Sequence, residues 1–239
     1  NYMSPIWTPD GEYVIAAKGA QLWLYHEAGG SGVQMTGITP PASPGAPAAP
    51  AAPALLGPAF GPNADELWVN VRGNVPTGLT ARHIGDESDP AFDPHVERSS
   101  ARVVGPYQIG VLDRRNGRLH LRTHEHEGAF RPVPSPDGRW LMYSTRYDAR
   151  QALKLLDLQT GEERWLRMDV QRDDSEGGGA RDRDVYPASA FLPDSSAVIT
   201  GYGGKIWRVT VPSGEATEIP FTAKVEQPLG PLVKFDYAI

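Results

Sequence analysis

A tight turn that runs straight into an alternating strand occurs four times in this chain, and that recurrence restricts it to a repeat architecture. The fullest copy is Arg131-Pro-Val-Pro-Ser-Pro-Asp-Gly-Arg-Trp-Leu-Met-Tyr143. Its proline presets φ, Asp137 can bond the backbone two residues on, and Gly138 can take positive φ, so the chain reverses sharply. Aromatic and long apolar residues then alternate, as on a half-buried sheet. The other copies are Pro5-Ile-Trp-Thr-Pro-Asp-Gly-Glu-Tyr-Val-Ile15, Pro58-Ala-Phe-Gly-Pro-Asn-Ala-Asp-Glu-Leu-Trp68 and Pro187-Ala-Ser-Ala-Phe-Leu-Pro-Asp-Ser-Ser-Ala-Val-Ile199.

Each copy has a second half in which an apolar strand meets a Gly-containing turn. These halves read Gln21-Leu-Trp-Leu-Tyr-His-Glu-Ala-Gly-Gly30, Gln108-Ile-Gly-Val-Leu-Asp-Arg-Arg-Asn-Gly-Arg118, Leu153-Lys-Leu-Leu-Asp-Leu-Gln-Thr-Gly-Glu162 and Lys205-Ile-Trp-Arg-Val-Thr-Val-Pro-Ser-Gly-Glu215. Asn116-Gly117 and Thr160-Gly161 are hairpin signals, and Ser213-Gly214 fills the same slot. Each unit is therefore an antiparallel meander. One meander has too little apolar surface to stand alone, so the units are expected to pack side by side as blades of an all-β propeller. A β-sandwich is the competing architecture, but it does not require the same turn at the same place in every unit.

The turn prolines Pro9, Pro62, Pro136 and Pro193 are 53, 74 and 57 residues apart. A four-stranded blade needs only about 40–45 residues, so insertions must absorb the excess. The expected units span about 3–37, 56–126, 129–168 and 185–223, in a single domain over 1–239. Insertions fall at about 38–57, 73–105 and 169–184. The first is a Pro/Ala run read as an exposed connecting loop, with recruitment of a proline-binding module as the sharper reading. The second carries His83, Asp86, Glu87, Asp89, Asp93 and His95, without a ligand spacing recognisable for zinc or calcium. The third is Gly-rich and of mixed charge, with no phosphate-loop lysine.

The segments Trp7-Thr-Pro-Asp-Gly11, Ser135-Pro-Asp-Gly138 and Leu156-Asp-Leu-Gln-Thr-Gly-Glu162 resemble the repeats of TolB-type propellers, also called PD40 or WD40-like repeats. More narrowly, Gln21 to Gly30 and Gly203 to Phe221, followed by Val225-Glu-Gln227, resemble the propeller region of large bacterial amidohydrolase-like proteins. In those, a propeller accompanies a metal-dependent hydrolase barrel. The resemblance implies a bacterial, periplasmic or secreted protein whose propeller shapes or gates access to a hydrolase domain outside this chain. Any divalent metal would belong to that domain, and no cofactor is expected here. The alternative is a TolB-like protein-interaction module without catalytic activity. A weaker third reading is a self-contained enzyme whose site lies on the propeller loops.

His124-Glu-His126 has the His-x-His form of an amidohydrolase metal pair. It lacks the apolar barrel strand and the later ligands that such a pair requires, so His124 and His126 are only weak metal candidates. They are read as the polar end of a strand, with both imidazoles on one face. No Gly-x-Ser-x-Gly elbow is present, and no catalytic residue is assigned. Trp23 and Trp207 hold equivalent places in the first and last units and are read as packing between blades.

Composition removes several classes of partner. A net charge of −6 leaves no basic footprint for nucleic acid. No run approaches the about 18–20 apolar residues of a membrane span. Without cysteine there is no disulfide or thiolate chemistry. Both ends read as cut from something longer, and four units rarely close a ring of this repeat type. The expected partners are therefore the remainder of the same protein or another copy completing the propeller, with another protein as a further partner.

Overall fold

The computed structural model describes residues 3–38, 52–74, 102–172, 188–226 and 230. All regular structure among them is β-strand, in four antiparallel sheets of four strands arranged as propeller blades. Blade 1 holds β1 (Met3–Trp7), β2 (Tyr13–Lys18), β3 (Gln21–His26) and β4 (Val33–Gln34). Blade 2 holds β5 (Ala54–Phe60), β6 (Glu66–Asn74), β7 (Arg102–Asp113) and β8 (Leu119–Leu121). Blade 3 holds β9 (Phe130–Pro134), β10 (Trp140–Tyr147), β11 (Arg150–Asp157) and β12 (Glu163–Arg172). Blade 4 holds β13 (Ser189–Phe191), β14 (Ala197–Tyr202), β15 (Lys205–Thr210) and β16 (Ala216–Ile219). Strand order follows sequence order in every blade.

Side-chain chemistry closes the repeated turn. Ser135 Oγ donates to Asp137 Oδ1 at 2.5 Å and accepts from the Trp140 amide at 2.8 Å. Asp137 Oδ1 also accepts from the Arg139 amide at 3.0 Å, and Gly138 sits at φ +72°. Thr8, Asp10 and Glu12 reproduce this in blade 1. In blade 4 Asp194 takes the Ser196 amide, with Ser195 at φ +60° in the glycine's place. The outer turns have their own aspartates. Asp113 accepts from the Arg115 amide at 2.8 Å, and Asp157 accepts from the Gln159 and Thr160 amides and from the Arg139 guanidinium.

These contacts fix the charge state of the turns. The Thr8 hydroxyl and Glu12 amide hold the Asp10 carboxyl below its ordinary value of 3.8. The Arg115 amide does the same for Asp113, and the Ser196 hydroxyl and amide for Asp194. For Asp137 and Asp157 burial pushes upward, but hydrogen bonds from Ser135 and Arg139, and from Gln159 and Arg139, outweigh it. A carboxylate depressed on folding stabilises above its unfolded pKa, and that stability is lost as pH falls through the folded value. The urea midpoint should therefore hold steady from neutral pH to about 5 and decline below about 4. Asp157→Asn should flatten the decline, and a wild-type midpoint unchanged down to about pH 2.5 would remove these carboxylates from the account.

The first strands of blades 1 to 3 share a device outside the repeated turn. Ser4, Gly57 and Arg131 adopt φ of 48°, 56° and 54°, and each precedes a proline, Pro5, Pro58 or Pro132. The ladder shifts register at the same places, between Met3 and Ile6, Leu56 and Ala59, and Met142 and Ser144. A bulge frees one residue from pairing, so the missing proline N–H costs no ladder bond. β5 therefore runs through the end of the Pro/Ala segment read as loop, with Leu55, Leu56, Gly57 and Pro58 buried. Strand also extends into the other insertions, to Asn74 in β6, from Arg102 in β7 and to Arg172 in β12.

Three apolar seams join consecutive blades. Ile15, Ala17 and Leu22 of blade 1 meet Leu67, Val69 and Leu112 of blade 2. Trp68, Ile109 and Val111 of blade 2 meet Leu141, Tyr143 and Leu156 of blade 3. Met142, Leu153 and Leu155 of blade 3 meet Val198, Tyr202 and Val209 of blade 4. Each buried Leu or Ile contributes roughly 2 kcal/mol, which places the stability of the array in its seams. Trp207 packs against the last seam as the sequence implies. Trp23 lies on the corresponding face of blade 1, where none of the three seams reaches it.

The two ends of the blades differ. At one end are only short turns, at 8–12, 61–65, 135–139 and 192–196 and at 27–32, 114–118, 158–162 and 211–215. The turns of blades 3 and 4 touch, the Asp137 amide donating to Ser195 Oγ at 3.1 Å. The opposite end receives every connection between blades, and the strand ends flanking 39–51, 75–101 and 173–187 all lie there.

Candidate functional site

At that connector end, residues 122–129 link β8 to β9 and carry the His-x-His sequence. β8 stops at Leu121, so His124 and His126 occupy a loop and not the strand end expected for them. The reason lies in Gln108 of β7. Its side-chain oxygen accepts from the Glu125 amide at 2.8 Å and the Thr123 hydroxyl at 3.0 Å, while its nitrogen donates to the Glu125 carbonyl at 2.7 Å. Thr123 Oγ1 in turn accepts the Ile109 amide at 2.8 Å. A buried glutamine therefore takes over the pairing that a longer β8 would supply.

This anchoring sends Glu125 inward and the histidines outward. His124 is exposed, and the His126 side chain is 98% exposed beside Glu127, with Nδ1 3.3 Å from Oε1. Glu125 enters the seam between blades 2 and 3, where Tyr143 Oη donates to its Oε1 at 2.7 Å and Lys154 Nζ pairs with the same oxygen. Lys154 also reaches Glu163 Oε2 at 3.2 Å and lies 4.8 Å over the Trp165 ring. Burial works against the Glu125 charge, but the lysine and tyrosine hold its carboxyl below the usual range. Lys154 is held above its usual range by the two glutamates against the opposing effect of burial. Burial and the Glu125 hydrogen bond push the Tyr143 phenol strongly upward, so it acts as a donor and not as a base.

This network is a lock between blades and is not an acid–base pair poised for chemistry, because Lys154 is held between two carboxylates and the Tyr143 hydroxyl is committed to Glu125. Among the described residues no group of three or more His, Asp or Glu is arranged to hold a metal. His83, Asp86, Glu87, Asp89, Asp93 and His95 lie outside the described residues. The sequence alone does not single out Glu125 and Lys154, which stand 29 residues apart and meet only across a seam. The available signal was a lysine inside the apolar run Leu153-Lys-Leu-Leu156, which needs a buried acidic partner.

No family model matches the chain, and no curated protein matches it in sequence. Solved structures match it in shape. A protein assigned as TolB from Agrobacterium tumefaciens aligns with a TM-score of 0.60 at 17% identity, over 93% of this chain and 63% of its own. TolB from Acinetobacter baumannii aligns with a TM-score of 0.50 at 14% identity, over 92% of this chain and 41% of its own. The fold is a TolB-like β-propeller. At these identities the likeness is one of fold alone. A puromycin hydrolase aligns with a TM-score of 0.51 at 14% identity, over 90% of this chain but only 30% of its own. The TolB-like propeller thus spans less than two thirds of each of these structures. Among its described residues no helix is long and apolar enough to cross a membrane.

Proposed function

We propose that this TolB-like propeller is the accessory propeller of a bacterial, periplasmic or secreted amidohydrolase-like protein, shaping or gating access to a metal-dependent hydrolase domain outside these residues. The observation that carries the reading is the asymmetry of the blade ends. All insertions leave from one end, and the seam beneath the His124–His126 loop is tied there by Glu125, Tyr143 and Lys154. Such an end suits docking against a catalytic body whose entrance it surrounds. The puromycin hydrolase comparison supports it, since the region that matches this chain in shape is 30% of a larger hydrolase. The narrower choice of an amidohydrolase rests on the segments Gln21 to Gly30 and Gly203 to Phe221.

The test compares the gene product containing these residues with the 239-residue chain alone. The gene product is expected to carry a stoichiometric divalent metal and to hydrolyse members of an N-acyl and cyclic-amide panel, and the chain alone to do neither. Turnover by the chain alone would make the propeller itself the enzyme. A metal-free, inactive gene product that co-purifies with a protein partner would favour the interaction module instead.

A further inference from the structure

Of the four outer turns, only that of blade 2 sets an asparagine before its glycine. Asn116-Gly117 is the single Asn-Gly pair in the chain, and it lies exposed within Arg114-Arg-Asn-Gly-Arg118. Gly117 supplies the positive φ, +71°, that ends the turn. The same pair is chemically labile. The Gly117 amide nitrogen, once deprotonated, can attack Cγ of Asn116. A C–N bond forms, the Cγ–Nδ2 bond breaks and ammonia leaves, giving a five-membered succinimide. Water then opens either ring carbonyl, to aspartate or to isoaspartate, whose backbone runs through the side-chain carboxyl. Glycine leaves the attacking nitrogen unhindered, and the three arginines within two residues of Asn116 favour the negative charge it must carry.

The folded turn opposes these steps. The Gly117 N–H donates to the Asp113 carbonyl at 2.8 Å, so its proton is engaged. The Asn116 carboxamide is held at both ends, with Nδ2 donating to Asp113 Oδ2 at 2.8 Å and Oδ1 accepting the Arg118 amide at 2.8 Å. Turning Cγ towards the nitrogen breaks both bonds. Asp113 is itself fixed, its Oδ1 accepting the Arg115 amide at 2.8 Å with the Arg115 guanidinium at 3.5 Å. The Arg118 N–H would stabilise the oxyanion that forms at Cγ, whereas the Asp113 carboxylate repels it, so the restraint rests on Asp113.

We propose that Asn116 is a site of spontaneous conversion to isoaspartate in this protein, and that Asp113 restrains the conversion while blade 2 is folded. The other blades show that the fold does not require the asparagine. At the same place Thr160 of blade 3 and Ser213 of blade 4 offer a hydroxyl oxygen to the amide two residues on, at 3.2 and 3.4 Å. Asn116 therefore brings a reactive bond to a turn that a hydroxyl residue closes equally well. Conversion loosens the blade. An aspartate formed at 116 sets a carboxylate against Asp113 Oδ2, where an N–H stood. An isoaspartate lengthens the backbone between Asp113 and Arg118, where the Asp113 amide donates to the Arg118 carbonyl at 2.7 Å and closes the hairpin. β8 beyond it is only Leu119–Leu121, and both leucines are buried in the seam with blade 1.

Peptide mapping of the gene product containing these residues, held at mildly alkaline pH, follows the amide-to-acid mass gain at Asn116, and electron-transfer fragmentation separates isoaspartate from aspartate. The folded protein should convert at least about tenfold more slowly than the same protein in denaturing guanidinium, because the turn must open before attack. Asp113→Ala should speed the folded rate by about three- to tenfold. Asp113→Asn keeps an oxygen for the Arg115 amide but sets an N–H against Asn116 Nδ2, and it should accelerate conversion in a turn that keeps its shape. Asp157→Ala removes the equivalent aspartate of blade 3 and should leave the rate at Asn116 unchanged. Asn116→Thr should abolish the conversion and retain the urea midpoint, whereas converted protein should unfold at lower urea than fresh protein. Equal rates in the folded and denatured states, no acceleration by either Asp113 variant, or equal acceleration by Asp157→Ala would overturn the restraint. An Asn116 that stays intact in guanidinium would overturn the site itself.

Discussion

Replacing Lys154 with alanine is expected to lower the unfolding free energy by about 3 kcal/mol, because it strips the partner from an acid already committed to the interior. Glu125 and Lys154 are 13% and 14% exposed at the side chain, too buried for water to replace the lost ammonium fully. Glu125 would be left with the Tyr143 hydroxyl alone, beside a second carboxylate, Glu163. For a chain of this size the loss corresponds to a fall in Tm of about 6–12 °C by differential scanning calorimetry. Lys154→Met combined with Glu125→Gln should recover much of the loss, since an ion pair replaced as a whole leaves no orphaned charge. If the single substitution shifts Tm by less than about 2 °C, the pair is screened like a surface bridge and the lock does not hold the seam.

The second large effect should come from Gly214→Ala. Gly214 sits at φ +74° in the outer turn of blade 4, and a Cβ there would lie 2.5 Å from the Leu166 carbonyl oxygen of blade 3. That oxygen belongs to the backbone of β12 and cannot swing aside as a side chain would. Gly161 supplies the internal control, being the corresponding glycine of blade 3, at φ +75° with nothing within 4 Å of the Cβ position. Gly161→Ala should cost only the left-handed backbone penalty, about 1 kcal/mol, whereas Gly214→Ala should cost about 3 kcal/mol. Equal losses in urea titrations would show that blade 4 does not bear on β12 at this point.

The turns were legible because their chemistry is local. Ser135, Asp137 and Gly138 meet within one reversal, and nothing distant is needed to choose that conformation. β5 was hidden for the opposite reason. Gly57-Pro58 argues against a strand unless a bulge releases the proline from pairing, and the burial of Leu55 and Leu56 against blade 1 that accompanies it is not local to the segment. The seam network was invisible for a related reason, since Glu125 and Lys154 are 29 residues apart and only the meeting of two blades makes them neighbours. The histidines have the form of a familiar pair, while the loop's tie to the next blade is made by the glutamate between them.

The stitched turn end has a consequence for how such a chain can change. The hydrogen bond from the Asp137 amide to Ser195 joins blades 3 and 4 at that end, while the connecting segments at the other end differ in length. Doubling a flexible loop costs only about 0.6 kcal/mol in closure entropy. Spacings of 53, 74 and 57 residues between turn prolines can then coexist with blades of one geometry. For a protein engineer the chain is a display frame. Foreign sequence grafted between β6 and β7 should leave the blades in register, while a single residue added within 135–139 would not.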